Sequence, residues 1–315
     1  MLDIHFIREN PDLVKAGAAK KKAVVDIDRL LALDDERKLL RQKLDDMRAE
    51  QNRASQRIAR AEGEEKEKLL ESMKHVKEGI QELDTKYTAV NEEWTKILLS
   101  IPNLPSPDTP EGPDESANVV VREWGEKPVF TFKPKPHWEL GKDLGLIDSE
   151  KASEVSGSRF TYIIGDLALM QFALIDLVMK TLTNRETIKA IMAKAGLDLD
   201  PKPFVPVLPP VMMRANVMGR MARLQPIDER YYFEKDDLVL VGSAEHTLGP
   251  LHMDEIIDEP ALPIRYIGYS VAFRREAGAA GKDTRGILRQ HQFDKLEMET
   301  FTRPEDGYKE QEFIV

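Results

Sequence analysis

No cysteine occurs among the 315 residues, which excludes disulfides and thiolate metal sites and suits a reducing compartment. An excess of positive charge is missing as well. Lys and Arg number 46 against 56 Asp and Glu, giving a net charge of −10 and a pI of about 5.3. A general polyanion binder is thereby excluded, because every phosphate contact needs a Lys or Arg, so any nucleic-acid contact must come from a local basic patch. The opening MLDIHFIREN holds no apolar run preceded by positive charge, so no signal peptide is visible, and no later stretch approaches a transmembrane length. A soluble, cytoplasmic protein without membrane contact is expected. What is present is length enough for two domains and a hydrophobic fraction of 41% to build their cores. Charged residues reach 32%, as long solvated helices require.

Two such helices are legible. Residues 26–61 carry a 3,4 spacing of core positions running from Leu30, Leu33 and Arg37 to Ile58 and Ala61. Residues 69–97 repeat it with Leu69, Met73, Val76, Ile80, Leu83, Tyr87, Val90, Trp94 and Ile97, all apolar. This is a heptad seam and predicts coiled-coil packing. Gly63 offers the turn between them, and so short a link forces the helices antiparallel. At 1.5 Å per residue each extends roughly 50 Å, so the hairpin is expected to project as an arm. Residues 27–100 hold 15 basic and 17 acidic side chains, but none of the acids falls between Gln51 and Ala61. There Arg53, Arg57 and Arg60 recur at i, i+4 and i+7, with Arg48 just before them, a cluster suited to phosphate; a solvated coiled-coil face reads equally well. Residues 1–25 read as a short helical cap in which Asn10-Pro11-Asp12 starts a helix.

Five prolines between residues 102 and 113 end the arm and mark a domain boundary, giving expected domains 1–105 and 106–315. Val119–Val121 and Val129–Phe132 read as extended, 166–195 as a buried helix broken near Thr183-Asn184, and 204–208, 238–241, 264–273 and 287–301 as strands. Turns, not helical crossovers, separate these runs. The ordering predicts an α+β domain built on an antiparallel sheet.

The chemistry gathers in IRYIGYSVAFRREAGAAGKDTRGILRQHQFDKLEMETF, residues 264–301. Alternate strand residues share a face. Arg274 and Glu276 end one run, and Arg289, His291, Phe293, Lys295, Glu297 and Glu299 line the next. Unpaired charges are costly to bury, so this face suits an anionic, aromatic ligand; a wet sheet face carrying ion pairs is the competing reading. Gly281-Lys282 is no phosphate loop, since Asp283 follows where Ser or Thr is needed and Glu276 stands where the first glycine should be. A Rossmann fingerprint is absent too.

Several segments resemble the seryl-tRNA synthetases of bacterial type, in the right order along nearly the whole chain. FRREAGAAGKDTRGILRQHQFDKLE is similar to their motif 2, GSAEHTLGPLHMDEI to their serine-binding loop, and PVLPPVMM to motif 1 with Pro210 at its proline. The linker, HWELG and the amino terminus match as well. The resemblance implies a class II aminoacyl-tRNA synthetase fold behind a tRNA-gripping helical arm. It implies activation of serine by ATP to seryl-adenylate and transfer to tRNA(Ser), with tRNA(Sec) as a second acceptor. By position, Arg274 would bridge the α-phosphate and the serine carboxylate, Glu276 would contact the adenine amino group, and Phe293 would stack on the ring. Arg289 and Arg275 complete the expected ATP set. Ser243, Ala244, Glu245 and Glu297 would hold serine with Arg274. Arg48, Arg53, Arg57 and Arg60 would hold tRNA. Mg²⁺ is expected with ATP, no separate metal site is expected, and the motif 1 segment implies a homodimer.

This chain departs from the family at Ser243, usually Thr, and at Arg275, usually a smaller polar residue. Family members run on for roughly another hundred residues, an ordinary span for part of a domain, which carry motif 3. Gly219-Arg220 resembles that motif but precedes motif 2, in the wrong order. A C-terminally incomplete chain is therefore expected. Two readings stay open: a serine–tRNA ligase, or a tRNA-binding chain inactive alone or acting as half of a split synthetase. A structural coiled-coil adaptor would have no need of Arg274, Glu276, Phe293 and Glu297.

Overall fold

A computed structural model of the chain describes residues 2–276 and 286–315, so Gly281-Lys282 lies outside the described residues. It divides into two compact units, Met1–Glu126 and Lys127–Val315.

In the first unit, helices α1 (Ile4–Glu9) and α2 (Pro11–Lys20) precede the two long helices α3 (Ile27–Ile58) and α4 (Gly63–Ser100). Asp3 caps α1 by accepting from His5 N at 2.7 Å, and Asp26 caps α3 by accepting from Arg29 N at 2.9 Å. These bonds satisfy amides that a helix start leaves without partners. Pro11 opens α2, where its missing N–H is no loss. The heptad reading holds: Leu30, Leu33, Leu40, Leu44 and Met73 are buried, and the other seam positions are half-buried. With 32 and 38 residues, α3 and α4 run about 48 and 57 Å at the standard helical rise. Gly63 takes φ +60°, in the left-handed region, where the chain turns into α4.

Ile7, Val14, Ile27, Leu30, Leu98 and Ile101 form the core where α1 and α2 meet the base of the hairpin. Beside it sits Asp34, fully buried, bonded by Arg8 at 2.8 Å, Lys38 at 2.7 Å and Arg37 at 3.1 Å. Arg37 fills its seam position by laying its guanidinium 4.0 Å from the Trp94 ring centre. Burial pushes the Asp34 carboxyl up, but the bonds from Lys38, Arg8 and Arg37 outweigh it and hold the group at about 2.

The division between units falls 13 residues beyond the last of these prolines, from Pro113 to Glu126, since Lys20 and Lys22 of the first unit donate to Pro107 O and Pro113 O. Val119–Val121 and Val129–Phe132 are not strands. They are exposed, and among the described residues no neighbouring strand offers them a ladder.

The second unit begins with α5 (His137–Asp143), the short pair β1 (Ile147–Asp148) and β2 (Tyr162–Ile163), and α6 (Ser149–Ser156) between them. Helices α7 (Asp166–Leu182) and α8 (Arg185–Ala195) break where expected, Asn184 capping α8 by accepting from Thr187 N at 3.0 Å, but α7 has no buried residue, so the buried-helix reading fails there. Then come β3 (Val205–Val207), β4 (Met212–Arg214), α9 (Ala215–Arg220), β5 (Tyr232–Phe233), β6 (Leu238–Leu240) and α10 (Glu245–Leu248). The long pair β7 (Ile264–Phe273) and β8 (Gln292–Phe301) leads to α11 (Gly307–Ile314). One sheet orders β3-β7-β8 and the other β4-β6-β5. Every pair is antiparallel except β3 with β7, which runs parallel, so the main sheet is mixed rather than purely antiparallel.

One face of the main sheet is covered by Ile188, Met192, Phe204, Ile267 and Phe313. Arg265 and Glu310 lock α11 to it. Both are buried, Arg265 Nε donates to Glu310 at 3.0 Å, and its Nη1 donates to the carbonyls of Asp200 at 2.8 Å and Lys202 at 2.6 Å. Those bonds offset the desolvation of the ion pair. The other face is left for polar side chains.

Candidate functional site

The register of β7 on β8 sets small side chains against large ones on one face. Ala272 lies opposite Phe293, Ser270 opposite Lys295, Gly268 opposite Glu297 and Tyr266 opposite Glu299. Opposed residues share a face, so three small side chains on β7 leave room beside the large ones on β8. Gly268 has a second effect. A Cβ there would meet Cδ1 of the buried Leu248, so glycine lets α10 settle onto the strand without displacing that side chain. That packing carries the loop before α10 to Glu297, with Gly242 N donating to His246 Nδ1 at 3.1 Å to fix it. Burial keeps the His246 imidazole below its usual range, in the neutral form this bond needs.

Ser243, 3% exposed, donates to Glu297 Oε2 at 2.5 Å. Lys295 Nζ stands 2.7 Å from the same carboxylate oxygen and 3.0 Å from Ser243 Oγ. Ala244 is fully buried, so its methyl belongs to the core and only its backbone can face a ligand. Glu245 opens α10 and pairs with Arg223 at 2.9 Å. Burial, then the charges of Glu245 and Glu297, push the Glu299 carboxyl up to about 7. Three carboxyls thus share one region that readily takes up positive charge.

A few residues away the face changes sign. Arg274 continues the ladder past β7, its N donating to His291 O at 3.0 Å. Its Nε donates to Gly242 O at 3.2 Å and its guanidinium lies 5.2 Å from the Phe293 ring centre. Among the described residues no carboxylate pairs with it. Glu276 has φ +51°, costly for a residue with a Cβ, and meets Arg289 at 2.7 Å. Arg159 Nη1 donates to Glu276 O at 3.3 Å, and Arg159 O accepts from His291 N at 3.0 Å. The strand reading of 287–301 included Arg289 and His291, but β8 starts only at Gln292. They stand in bends because His291 Nδ1 turns back to Arg274 O at 2.8 Å and Gln290 Nε2 to Gly286 O at 2.6 Å.

Arg275 is exposed, with its N donating to Glu229 O at 3.4 Å, and its charge partly offsets the burial that raises the Tyr231 phenol. Its side chain joins neither cluster. Arg220, in the sequence that mimics motif 3, is held in a two-pronged pair with Asp254 at 2.6 and 3.0 Å. Sequence reasoning missed Arg223 and Arg159 and gave Lys295 no role. Only the HQFDK match could have singled out Lys295.

On the arm, Arg53 and Arg57 are exposed on α3. Arg60 lies in the turn beyond its end, because α3 stops at Ile58 and Arg60 N donates to Arg57 O at 3.0 Å. The expected single face of three arginines is thus two on a helix and one on the turn. None of the three has an ion pair among the described residues, whereas Arg48 is held by Asp84 at 3.1 Å.

Against known proteins, residues 1–105 match the seryl-tRNA synthetase N-terminal domain. Residues 231–314 match the tRNA synthetase class II core domain for G, H, P, S and T. The serine–tRNA ligase of Symbiobacterium thermophilum is 40% identical over 310 residues, covering 98% of this chain and 70% of the relative. That of Caldicellulosiruptor saccharolyticus is 40% identical over 314 residues, covering 99% and 71%. Among solved structures, the seryl-tRNA synthetase of Pyrococcus horikoshii complexed with ATP superposes with a TM-score of 0.75 at 33% identity, covering all of this chain and 72% of that one. The cytoplasmic serine–tRNA ligase of Naegleria fowleri in complex with AMP gives 0.70 at 28%, covering 98% and 68%.

Proposed function

This chain belongs to the seryl-tRNA synthetase family, and from that premise we propose how its own residues would bind serine, ATP and tRNA. The Ser243–Lys295–Glu297 cluster carries the reading. Lys295 holds an ammonium 2.7 Å from Glu297 and 3.0 Å from Ser243, which marks a pocket that an amino-acid ammonium would suit. Glu245 and Glu297 take the ammonium and hydroxyl of serine, with Ser243 beside them. Hydrogen bonds to that hydroxyl reject alanine more strongly than shape could. Arg274 spans the serine carboxylate and the α-phosphate, Phe293 stacks on the adenine, and Glu276 accepts from its amino group. Arg289 reaches the phosphates, and Arg275 stands at the rim of the nucleotide site.

A serine carboxylate oxygen attacks the α-phosphorus, the bond to the leaving pyrophosphate breaks, and seryl-adenylate forms. The terminal ribose hydroxyl of tRNA(Ser) then attacks the seryl carbonyl and AMP leaves. The site acts by orienting reactants and offsetting phosphate charge, without a covalent enzyme intermediate. Mg²⁺ would enter with the nucleotide and offset phosphate charge there. Residues 1–105 serve tRNA through Arg48, Arg53, Arg57 and Arg60, and residues 106–315 serve the chemistry, in the cytoplasm.

A second copy of the chain completes a homodimer through the motif 1 segment. Leu208 there is 79% exposed, and Leu169, Phe172 and Leu177 on α7 are each at least 60% exposed, more apolar surface than a monomer usually leaves in water. Serine-dependent ATP–pyrophosphate exchange tests the assignment, with alanine as control. Exchange driven by serine and not alanine is expected. Retention of tRNA(Ser) with no exchange and no ATP binding would leave the tRNA-binding reading standing instead, and competition by tRNA(Sec) would show whether it too is an acceptor.

A further inference from the structure

HWELG matches the family but has no part in the site as assembled so far, and its first residue touches motif 2. His137 is half-buried at the start of α5, its ring edge-on to Trp138 at 5.2 Å and 82°. Its Nε2 accepts a hydrogen bond from Ile287 N at 3.0 Å, across 150 positions of sequence. An amide nitrogen can only donate, so Nε2 must be bare and the ring proton must sit on Nδ1.

Gly286, the residue before, is shaped for this contact twice over. Its φ of +81° is open to glycine, and a Cβ built on it would overlap His137 Nε2. Such a hold matters because, among the described residues, 286–290 pair with no strand and the ladder with Arg274 is reached only at His291. Residues 286–289 and 291 are bends that precede β8. Gln290 Nε2 bonds Gly286 O at 2.6 Å, and Arg289, between Gln290 and the latched amide, meets Glu276 at 2.7 Å.

We propose that His137 is a positioning residue for the nucleotide. Its imidazole latches the backbone at Gly286–Ile287 and thereby sets Arg289 against Glu276. The proposal rests on the reading of Arg289 and Glu276 as ATP contacts. Beyond the shared Arg274, serine depends on Ser243, Glu245 and Glu297, held by α10 and Gly268, so the latch bears first on the nucleotide.

The test uses the full chain and two substitutions. H137L removes the acceptor, and H137Q puts a carboxamide oxygen within reach of the same amide. ATP and serine affinities are measured separately by titration calorimetry, and amide hydrogen exchange is followed across 286–291. The latch predicts faster exchange at Ile287 in H137L and ATP binding weakened roughly fivefold, the loss of about one hydrogen bond, with serine binding unchanged and both effects reversed in H137Q. Unchanged exchange would overturn the latch. Faster exchange with unchanged ATP affinity, or equal losses for both ligands, would overturn its positioning role. If the parent chain binds no ATP, the nucleotide reading itself fails, and the exchange rates alone decide whether the latch exists.

Discussion

Two carboxyls taken out of water, one in each unit, are shifted in opposite directions. Asp34 at the base of the arm is ringed by Arg8, Arg37 and Lys38 and held at about 2. Glu299 on β8 has Glu245 and Glu297 for neighbours and is pushed up to about 7. The arm uses its cations for stability: Arg29 pairs with Glu93, Arg41 with Asp45 and Arg48 with Asp84 along its length. The catalytic unit instead gathers like charges without full compensation, an arrangement that loses stability unless a ligand completes it. Where charge is matched, the structure is holding itself together. Where it is left unmatched, as at Glu299, Arg274 and the tip arginines, a partner is called for.

The largest test of this contrast falls on Arg274. R274A should lower serine-dependent pyrophosphate exchange about a thousandfold, the scale for losing a group that stabilises transition-state charge, while thermal stability barely moves. A matching loss of stability would place Arg274 with Asp34 as a structural group.

Next in size is D34A. Its three cations can reach water once released, so the loss should be about 2–3 kcal/mol of arm stability by denaturant titration. The sign of its pH dependence is fixed. A carboxyl depressed from 3.8 to about 2 contributes stability above pH 4 or so, lost as pH falls through 2. D34A should flatten that acid limb.

Replacing Arg53, Arg57 and Arg60 together by alanine should weaken tRNA(Ser) binding about tenfold at low salt and make its salt dependence shallower. Pyrophosphate exchange should hold. Equal losses in both assays would break the separation of the two units.

The smallest effect belongs to E299Q and has the opposite sign to D34A. A carboxyl raised from 4.5 to about 7 contributes stability at low pH that is lost as pH rises through 7. E299Q should therefore stabilise the catalytic unit at pH 8 by about 1 kcal/mol, discounted for its partial exposure, and change little at pH 5. Destabilisation at pH 8 would mean that an ionised Glu299 has a partner.

The sequence by itself determined what depends on neighbours along the chain. A period of 3.5 is local, so the seam from Leu30 to Ile97, the turn at Gly63 and the break at Asn184 could all be read directly. Strand alternation alone was enough to put Phe293, Lys295, Glu297 and Glu299 on one face. The motif resemblance added expected roles for two of them, Phe293 and Glu297. Only the tertiary structure decided what depends on meeting between distant segments. It ended α3 before Arg60, took Arg289 and His291 off the strand, and paired β3 parallel to β7. It buried the Ala244 side chain, brought Ser243 and Lys295 together on Glu297, and set His137 on Ile287. The physical reason is that such contacts rest on small gaps. A glycine at 268 admits α10 and a glycine at 286 admits an imidazole. Nothing in the letters around either glycine says which distant side chain will fill the space.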